Sequence, residues 1–422
     1  MSRTGIKRGI GWALAVLVGV PALAYLALVV INRNDEPPSA DVARLVALHQ
    51  SGPALADAAN GHVHARDLAT GPGAVADYRA ARSPAVTALA QACRQAATCA
   101  EALDAHPAVP AQWLDAEQWL LARYRRMLAT EGWREEVPED LAAQLPAYQP
   151  AMDAQQLHLL DARRLALAGE PAAVRDLLER DLLFWRQVLA SSDLLVTKMI
   201  AAAAVRHHFA LGTLALRALP AGEAAAAVPP SWRQPVTVAE RSLARALAGE
   251  WQLIANSTRA WLSPAAVSDA GIGDRLLRPL YQEQATLNRG AARMVRLGAL
   301  SELPYPELAP ALAGLATPPE HAGPRLQVYN PVGAMLDPAA VEPAYGDYIA
   351  RAGDLEGVRR AALLAADLRG QGVGPDAAAA ALRAATLRGP YDGAPFKWDA
   401  TSGSVVFDGL AHGERGRYAV PL

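Results

Sequence analysis

Lysine, cysteine and aromatic residues are scarce in this chain. Lysine occurs only as Lys7, Lys198 and Lys397 among 40 basic residues, the other 37 being arginine. Such a skew reads as coding bias and gives no single arginine special weight. Aromatics make up 6% while alanine is used heavily, which favours closely packed helices over a sheet of β-branched and aromatic residues. There are two cysteines, Cys93 and Cys99, without the nearby histidines or further cysteines that a zinc set needs. No excess of positive charge exists either: the net charge is −2, and setting aside Arg3, Lys7 and Arg8 leaves −5 for everything after the first apolar segment. With no basic stripe interleaved with aromatics, nucleic acid is not an expected partner. Catalytic signatures are missing as well. The chain has no Gly-x-Ser-x-Gly elbow, no His-Glu-x-x-His, no phosphate loop and no dinucleotide fingerprint, so no cofactor is implied. An enzyme whose groups converge only in three dimensions remains compatible with that.

What is present begins with a greasy run. Ile10 to Ile31 carries no charge over 22 residues. As a helix this spans about 33 Å, against a hydrocarbon core of about 30 Å. Trp12 and the group Asn32, Arg33 and Asn34 suit the two interfaces, and Pro21 is tolerable at mid-span. Arg3, Lys7 and Arg8 precede the run, so the positive-inside rule expects residues 1–9 in the cytoplasm and the bulk of the chain across the membrane. The rival is a cleaved signal peptide with Ala22-Leu23-Ala24 as its cleavage site. Cleavage there would leave Tyr-Leu-Ala-Leu-Val-Val-Ile exposed, which favours an uncleaved signal-anchor. No lipobox-type cysteine follows. The cysteines suit an oxidising compartment, where bridging the end of one helix to the start of the next would contribute roughly 2 kcal/mol. Two unpaired small hydrophobes on a helix are the alternative.

With 422 residues and 52% hydrophobic content, the chain is long enough for two or three units. Residues 32–40 read as a polar linker, residues 41–387 as an extracytoplasmic domain of packed helical hairpins, and residues 388–422 as a small β-hairpin tail. The predicted fold is therefore all-α in the main. Asp41 is a candidate cap for a helix running to His49. Leu114, Leu121, Tyr124 and Leu128 predict one face of a helix over 112–129. Val174, Leu177, Leu178, Trp185, Val188 and Leu189 predict another, joined to the preceding helix by the break at Gly169, Glu170 and Pro171. The apolar stretch Asp193 to Leu219 is interrupted by Lys198, Arg206, His207 and His208, and predicts a buried core helix instead of a second span. Thr237-Val-Ala-Glu240 is a capping box opening a helix to about Arg259. A further helix is expected over 274–297, restarted at Pro279, then extended connections over 303–340, then helices over 348–368 and 376–387. Phe396-Lys-Trp398 and Ser404-Val-Val-Phe407 read as two strands about a turn.

Several phrases resemble a family of Gram-negative, single-span, mostly helical envelope proteins of uncharacterised function. They are Leu121-Ala-Arg-Tyr124, Leu183-Phe-Trp-Arg186, Lys198-Met-Ile200, Ala285-Thr-Leu-Asn288, Tyr329-Asn-Pro-Val-Gly333 and Asp392-Gly-Ala-Pro-Phe-Lys-Trp-Asp399. The resemblance implies topology and a periplasmic far side, not an activity. The closing Gly-Pro-Tyr-Asp-Gly…Phe-Lys-Trp-Asp is also similar to the β-tail of secretion pseudopilins, over about thirty residues and without their processed N-terminal motif; it reads as convergence on a hairpin.

Among ionisable residues, His62-Val-His64 in a Gly-flanked loop lacks carboxylates that would complete a metal site, although Asp67 is close. His207-His208 should place at least one neutral ring in the core. Lys198 and Arg206, two turns apart, call for carboxylates, with Asp181 a candidate partner; the alternative to such a structural ion pair is the floor of a polar cleft. Glu135-Glu136 and Glu139-Asp140 read as solvated loop charges, and Asp392, Asp399 and Asp408 lack calcium-loop spacing. The expected function is a membrane-anchored protein that binds an envelope partner or supports an assembly, with residues 10–31 in lipid. The alternatives are a tethered hydrolase or transferase with a site near Lys198, Arg206 and His207, and a carrier of a small apolar ligand.

Overall fold

The computed structural model describes residues 3–70, 73–75, 77–139, 147–263, 271–316, 327–335 and 342–422. The chain is helical almost throughout, as its alanine-rich composition dictates, with one small sheet at the C-terminus. The helices are α1 (Arg3–Ile31), α2 (Ala40–Gln50), α3 (Gly61–Arg66), α4 (Pro84–Ala92), α5 (Ala96–Ala105), α6 (Val109–Ala116), α7 (Gln118–Leu128), α8 (Gln149–Leu167), α9 (Pro171–Ser191) and α10 (Leu195–Arg217). They continue with α11 (Ala221–Ala227), α12 (Val238–Arg241), α13 (Ala244–Leu262), α14 (Ile272–Leu277), α15 (Glu283–Ser301), α16 (Tyr305–Ala316), α17 (Pro331–Met335), α18 (Glu342–Gly370) and α19 (Pro375–Ala384).

Helix α10 is the axis of the larger core and packs against α8, α9 and α18. It is long and apolar enough to cross a membrane, yet 72% of its apolar window is buried inside the fold; the apolar helix over Val16–Ile31, the described part of α1, is shorter. Its place is the protein core. All six apolar positions predicted on α9 are buried, and Gly169 makes the turn from α8 at φ +75°, a conformation that favours glycine. A second core gathers Leu247 and Trp251 of α13 with Leu287 and Met294 of α15 and Ile349 of α18.

Strands β1 (Lys397–Asp399), β2 (Ser404–Asp408) and β3 (Arg417–Pro421) form an antiparallel sheet in the order β1-β2-β3. The predicted hairpin is there, Trp398 facing Val405, and a third strand extends it through the pairs Val405–Val420 and Phe407–Tyr418. The sheet lies on α18. Gly357 leaves room for Phe407, whose ring carbon Cζ would stand 2.1 Å from any Cβ there. Phe407 is stacked between Tyr391 and Tyr418, with centroids 6.1 and 5.8 Å away. Asp354, buried on the same helix, accepts from the hydroxyl of Tyr391 (2.8 Å) and the amides of Leu410 (2.8 Å) and Ala411 (3.1 Å).

Several local expectations need correction. Helix α2 is capped by Ser39, whose hydroxyl accepts from Val42 N, and not by Asp41. The helix expected over 112–129 is two, α6 and α7, meeting at Glu117, which is buried and grips Arg82. The capping box at Thr237 forms, but α12 lasts one turn before α13 restarts at Ala244. Within 303–340, expected to be extended, α16 and α17 are helical, while 317–326 and 336–341 lie outside the described residues. Pro306 sits in the first turn of α16, where its missing N–H has no partner to lose, and Pro310 forfeits one helical bond.

The polar segment 32–40 is bonded into the fold. Asn32 donates to Val328 O (2.8 Å) and accepts from Asn330 N (2.6 Å), while Gln282 donates to its carbonyl. Asp35 accepts from the amides of Gln284 (2.6 Å) and Ala285 (3.0 Å), satisfying the first turn of α15. Asn288 accepts from Ser39 N and donates to Glu36 and Pro37 O. At the centre Asn330 is fully buried with φ +50°. Its Oδ1 accepts from Gln282 N and Gly333 N, and its Nδ2 donates to Gln282 O and Thr286 Oγ1. The C-terminal end of α1 joins this joint, with Tyr25, Leu28 and Val29 packed on Leu280, Tyr281 and Val332.

Candidate functional site

Where α4, α8, α10 and β3 meet, they leave a cleft of about 870 Å³. Helix periodicity supplies two of its walls. Ala203, Arg206, His207 and Ala210 fall on one face of α10, and Gln149, Met152, Asp153 and Gln156 on one face of α8. The rim carries Arg79 and Arg94 near the ends of α4, and Arg415 and Arg417 at β3. Six arginines line the cleft against two carboxylates, Asp153 and Glu414.

Most of these cations are already engaged. Arg82 donates to both oxygens of Glu117 (2.6 and 2.8 Å) and to Asp153 (3.1 Å), with its guanidinium 5.1 Å from the Tyr78 ring centre and 5.0 Å from that of Trp113. Arg79 also reaches Asp153 (3.1 Å), Arg415 reaches Asp347 (3.5 Å), and Arg417 reaches Asp399 (3.4 Å). Among the described residues no carboxylate pairs with Arg94 or Arg206. Arg94 is exposed, and Arg206 lies half-buried with its guanidinium 5.9 Å from the Tyr418 ring centre.

His207 closes the floor. Its Nε2 meets Cys93 O at 2.8 Å and its Nδ1 meets Gln155 Oε1 at 3.3 Å. Burial lowers its pKa to about 4, so the ring is neutral and donates to one of these oxygens only; through the shorter bond, from Nε2 to Cys93 O, it ties α10 to the turn held by the Cys93–Cys99 disulfide. That disulfide joins the C-cap of α4 to α5, as the spacing allowed.

Lys198 lies elsewhere. It does not line the cleft, and its partner is not Asp181: its Nζ donates to the carbonyls of Leu189 and Glu240 (2.7 Å), in the last turns of α9 and α12. Two helix C-termini suit a cation, while burial lowers the Lys198 pKa to about 7. Asp181 instead anchors a buried polar chain. Trp185 Nε1 donates to Tyr124 OH (2.7 Å), and Tyr124 OH donates to Asp181 Oδ1 (2.5 Å). His208 Nδ1 donates to Asp181 Oδ2 (2.7 Å), and His208 Nε2 accepts from Trp232 Nε1 (2.8 Å). Burial alone would raise the Asp181 pKa, but the bonds from His208 and Tyr124 outweigh it and hold the group low. This Asp–His pair is sealed beneath Trp232, with both side chains wholly buried, so nothing outside can reach it. Lys198, Arg206 and His207 therefore do not share one site with a carboxylate.

The remaining candidates are placed as follows. His62 and His64 stand on α3, not in an open loop; His62 packs edge-on to Trp133 (5.3 Å) and His64 meets Ala58 O (3.1 Å). Glu135 is not solvated. It is buried and accepts from the amides of Asp193 (2.5 Å) and Leu194 (2.7 Å) and from the Thr197 hydroxyl (2.6 Å). It caps α10, whose own N-cap residue Leu194 has no side chain able to do so. Asp140 lies outside the described residues. Asp392 and Asp399 accept from local turn amides, and Asp408 binds Lys397 (2.6 Å). Sequence reasoning missed Arg79, Arg82 and Arg94, which read as ordinary helix-flanking charges, and the joint residues Asn32, Gln282 and Asn330. No protein family, no curated protein and no solved structure matches the chain.

Proposed function

We propose that this chain is a non-enzymatic envelope protein. A membrane helix at its N-terminus holds a helical domain on the far side of the membrane, and the arginine-lined cleft receives an acidic segment of a partner protein. Supporting the anchor is the outer surface of α1, where Leu17, Val18, Leu23 and Val30 are 61–71% exposed with no part of the fold covering them. Lipid is the solvent in which such a surface is stable. The Cys93–Cys99 bond suits an oxidising far side, and the resemblance of several phrases to single-span envelope proteins points the same way.

The observation that carries the binding reading is the pair of arginines, Arg94 and Arg206, at a wide cleft; among the described residues a carboxylate pairs with neither. Guanidinium forks recognise carboxylates bidentately, and the alanine-rich walls leave room for a peptide backbone. The ionisable groups that an enzyme would deploy are used inside the fold: His207 on a carbonyl, Lys198 on two carbonyls, and Asp181–His208 under a tryptophan. A fluorescent Glu/Ala decapeptide titrated against the detergent-solubilised full chain tests this. Binding should weaken with salt and fall about tenfold or more in Arg94→Glu/Arg206→Glu. Equal binding by that variant, or none by the native chain, would refute the acidic-segment reading.

A further inference from the structure

We infer that α14 is an interfacial helix, buried in the far-side leaflet next to α1. The inference rests on the reading of α1 as a membrane span. The hydroxyl of Tyr25 donates to Leu276 O at 3.0 Å. Tyr25 lies six residues before Ile31, the last residue of α1, and so about 9 Å below the end of the helix. Side chains on a helix lean toward its N-terminus, which takes the hydroxyl no nearer the exit. Leu276 is thereby fixed at a depth that belongs to the lipid-embedded length of α1.

The composition of α14 agrees. Ile272 is 79% exposed, Leu276 50% and Leu277 45%, an apolar surface that water would leave unsupported. Ile272 and Leu276 are one turn apart on one side; at 100° per residue Asp274 points away from them, Leu277 stands at one edge of that side and Arg275 at the other. The surroundings have the chemistry of a headgroup boundary. Trp261 packs edge-on to Tyr281 (5.4 Å) and lies under the Arg278 guanidinium, 5.0 Å from the ring centre. Amphipathic helices that lie in an interface bury their apolar side about 5–10 Å into the headgroup and acyl boundary, the depth the Tyr25 bond sets. The polar joint of Asn32, Gln282 and Asn330 stands just outward of this level and fixes the body of the protein against the membrane surface.

The full chain has no free cysteine, so single-cysteine labelling is direct. Ile272→Cys and Leu277→Cys carry an environment-sensitive dye in phosphatidylethanolamine/phosphatidylglycerol vesicles, beside Leu23→Cys on α1 and Leu167→Cys at an exposed site on α8. Lipids with a shallow doxyl quencher should reduce emission at 272 and 277 by about twofold, as at 23, while iodide quenches only 167. If 23 is quenched from the lipid but 272 and 277 respond to iodide alone, the interfacial helix is refuted and the span stands. If 23 itself responds only to iodide, the span fails and this inference fails with it.

Discussion

The joint between α1 and the body depends on one side chain more than any other. Replacing Asn330 with alanine removes four hydrogen bonds at a fully buried site with φ +50°. Asparagine tolerates this left-handed conformation, whereas alanine there costs about 1 kcal/mol. The amides of Gln282 and Gly333 lose their only acceptor, at roughly 1–3 kcal/mol for each buried donor. The sum is about 3–7 kcal/mol against the closed joint, most of it from the two amides. Hydrogen exchange of the full chain in nanodiscs reads this directly, because 1.4 kcal/mol is about tenfold in an opening constant. Exchange at Gln282 and Gly333 should accelerate by about a hundredfold or more in Asn330→Ala. Asn330→Gly should recover about 1 kcal/mol of the loss, since glycine adopts positive φ freely. Asn330→Asp keeps the acceptor of both amides but sets a buried carboxylate oxygen against the Gln282 carbonyl, and so should not restore the joint. Unchanged exchange in Asn330→Ala, or a full rescue by glycine, would show that the buried amides do not hold the joint.

Other consequences are equally specific. Asp181→Asn removes the charge that fixes Tyr124 and His208, and should cost about 3 kcal/mol in urea unfolding, with altered emission from Trp185 and Trp232 in the same chain of bonds. Gly357→Ala should destabilise by about 2 kcal/mol in thermal unfolding. Its Cβ would meet Phe407, which two stacked rings keep from moving, and that clash exceeds the gain in helix propensity of about 1 kcal/mol. Lys198, with a folded pKa of about 7 against 10.5, binds fewer protons folded than unfolded between those values. Its contribution therefore increases as pH rises from 7 toward 10.5. Relative to Lys198→Met, the native chain should gain in melting temperature across pH 7 to 10; a constant difference would contradict the assignment.

Local pattern and long-range partnership were not equally legible in the sequence. The apolar face of α9 follows from spacing alone, because burial of one stripe decides a helix whatever its neighbours are, and α10 follows from an apolar run that Lys198, Arg206 and the histidines interrupt. Gly169 and the Thr237 capping box are likewise self-contained signals. The third strand carried a period-2 signal in Tyr418 and Val420, both buried, flanked by Arg417 and Ala419. Partners distant in sequence left no such mark. Glu135 looks like a loop charge until the bare N-terminus of α10 is placed against it, 58 residues away. Lys198 was expected to find a carboxylate, but helix-end carbonyls serve a buried ammonium as acceptors and need no charged residue to advertise them. The cleft is legible only in part. Arg206 and His207 flag α10, while the arginines beside α4 become its rim only because the disulfide turn and β3 stand opposite.

The proposed topology sets α1 in the membrane and the rest of the chain on the oxidising side. A bacterial alkaline phosphatase domain, active only where its disulfides form, fused after Leu422 in a Gram-negative host tests it most directly. With α1 in the membrane, phosphatase activity should appear and stay in the membrane pellet after an alkaline wash. Activity released by the wash would contradict the anchor, and an inactive, full-length fusion would contradict the topology.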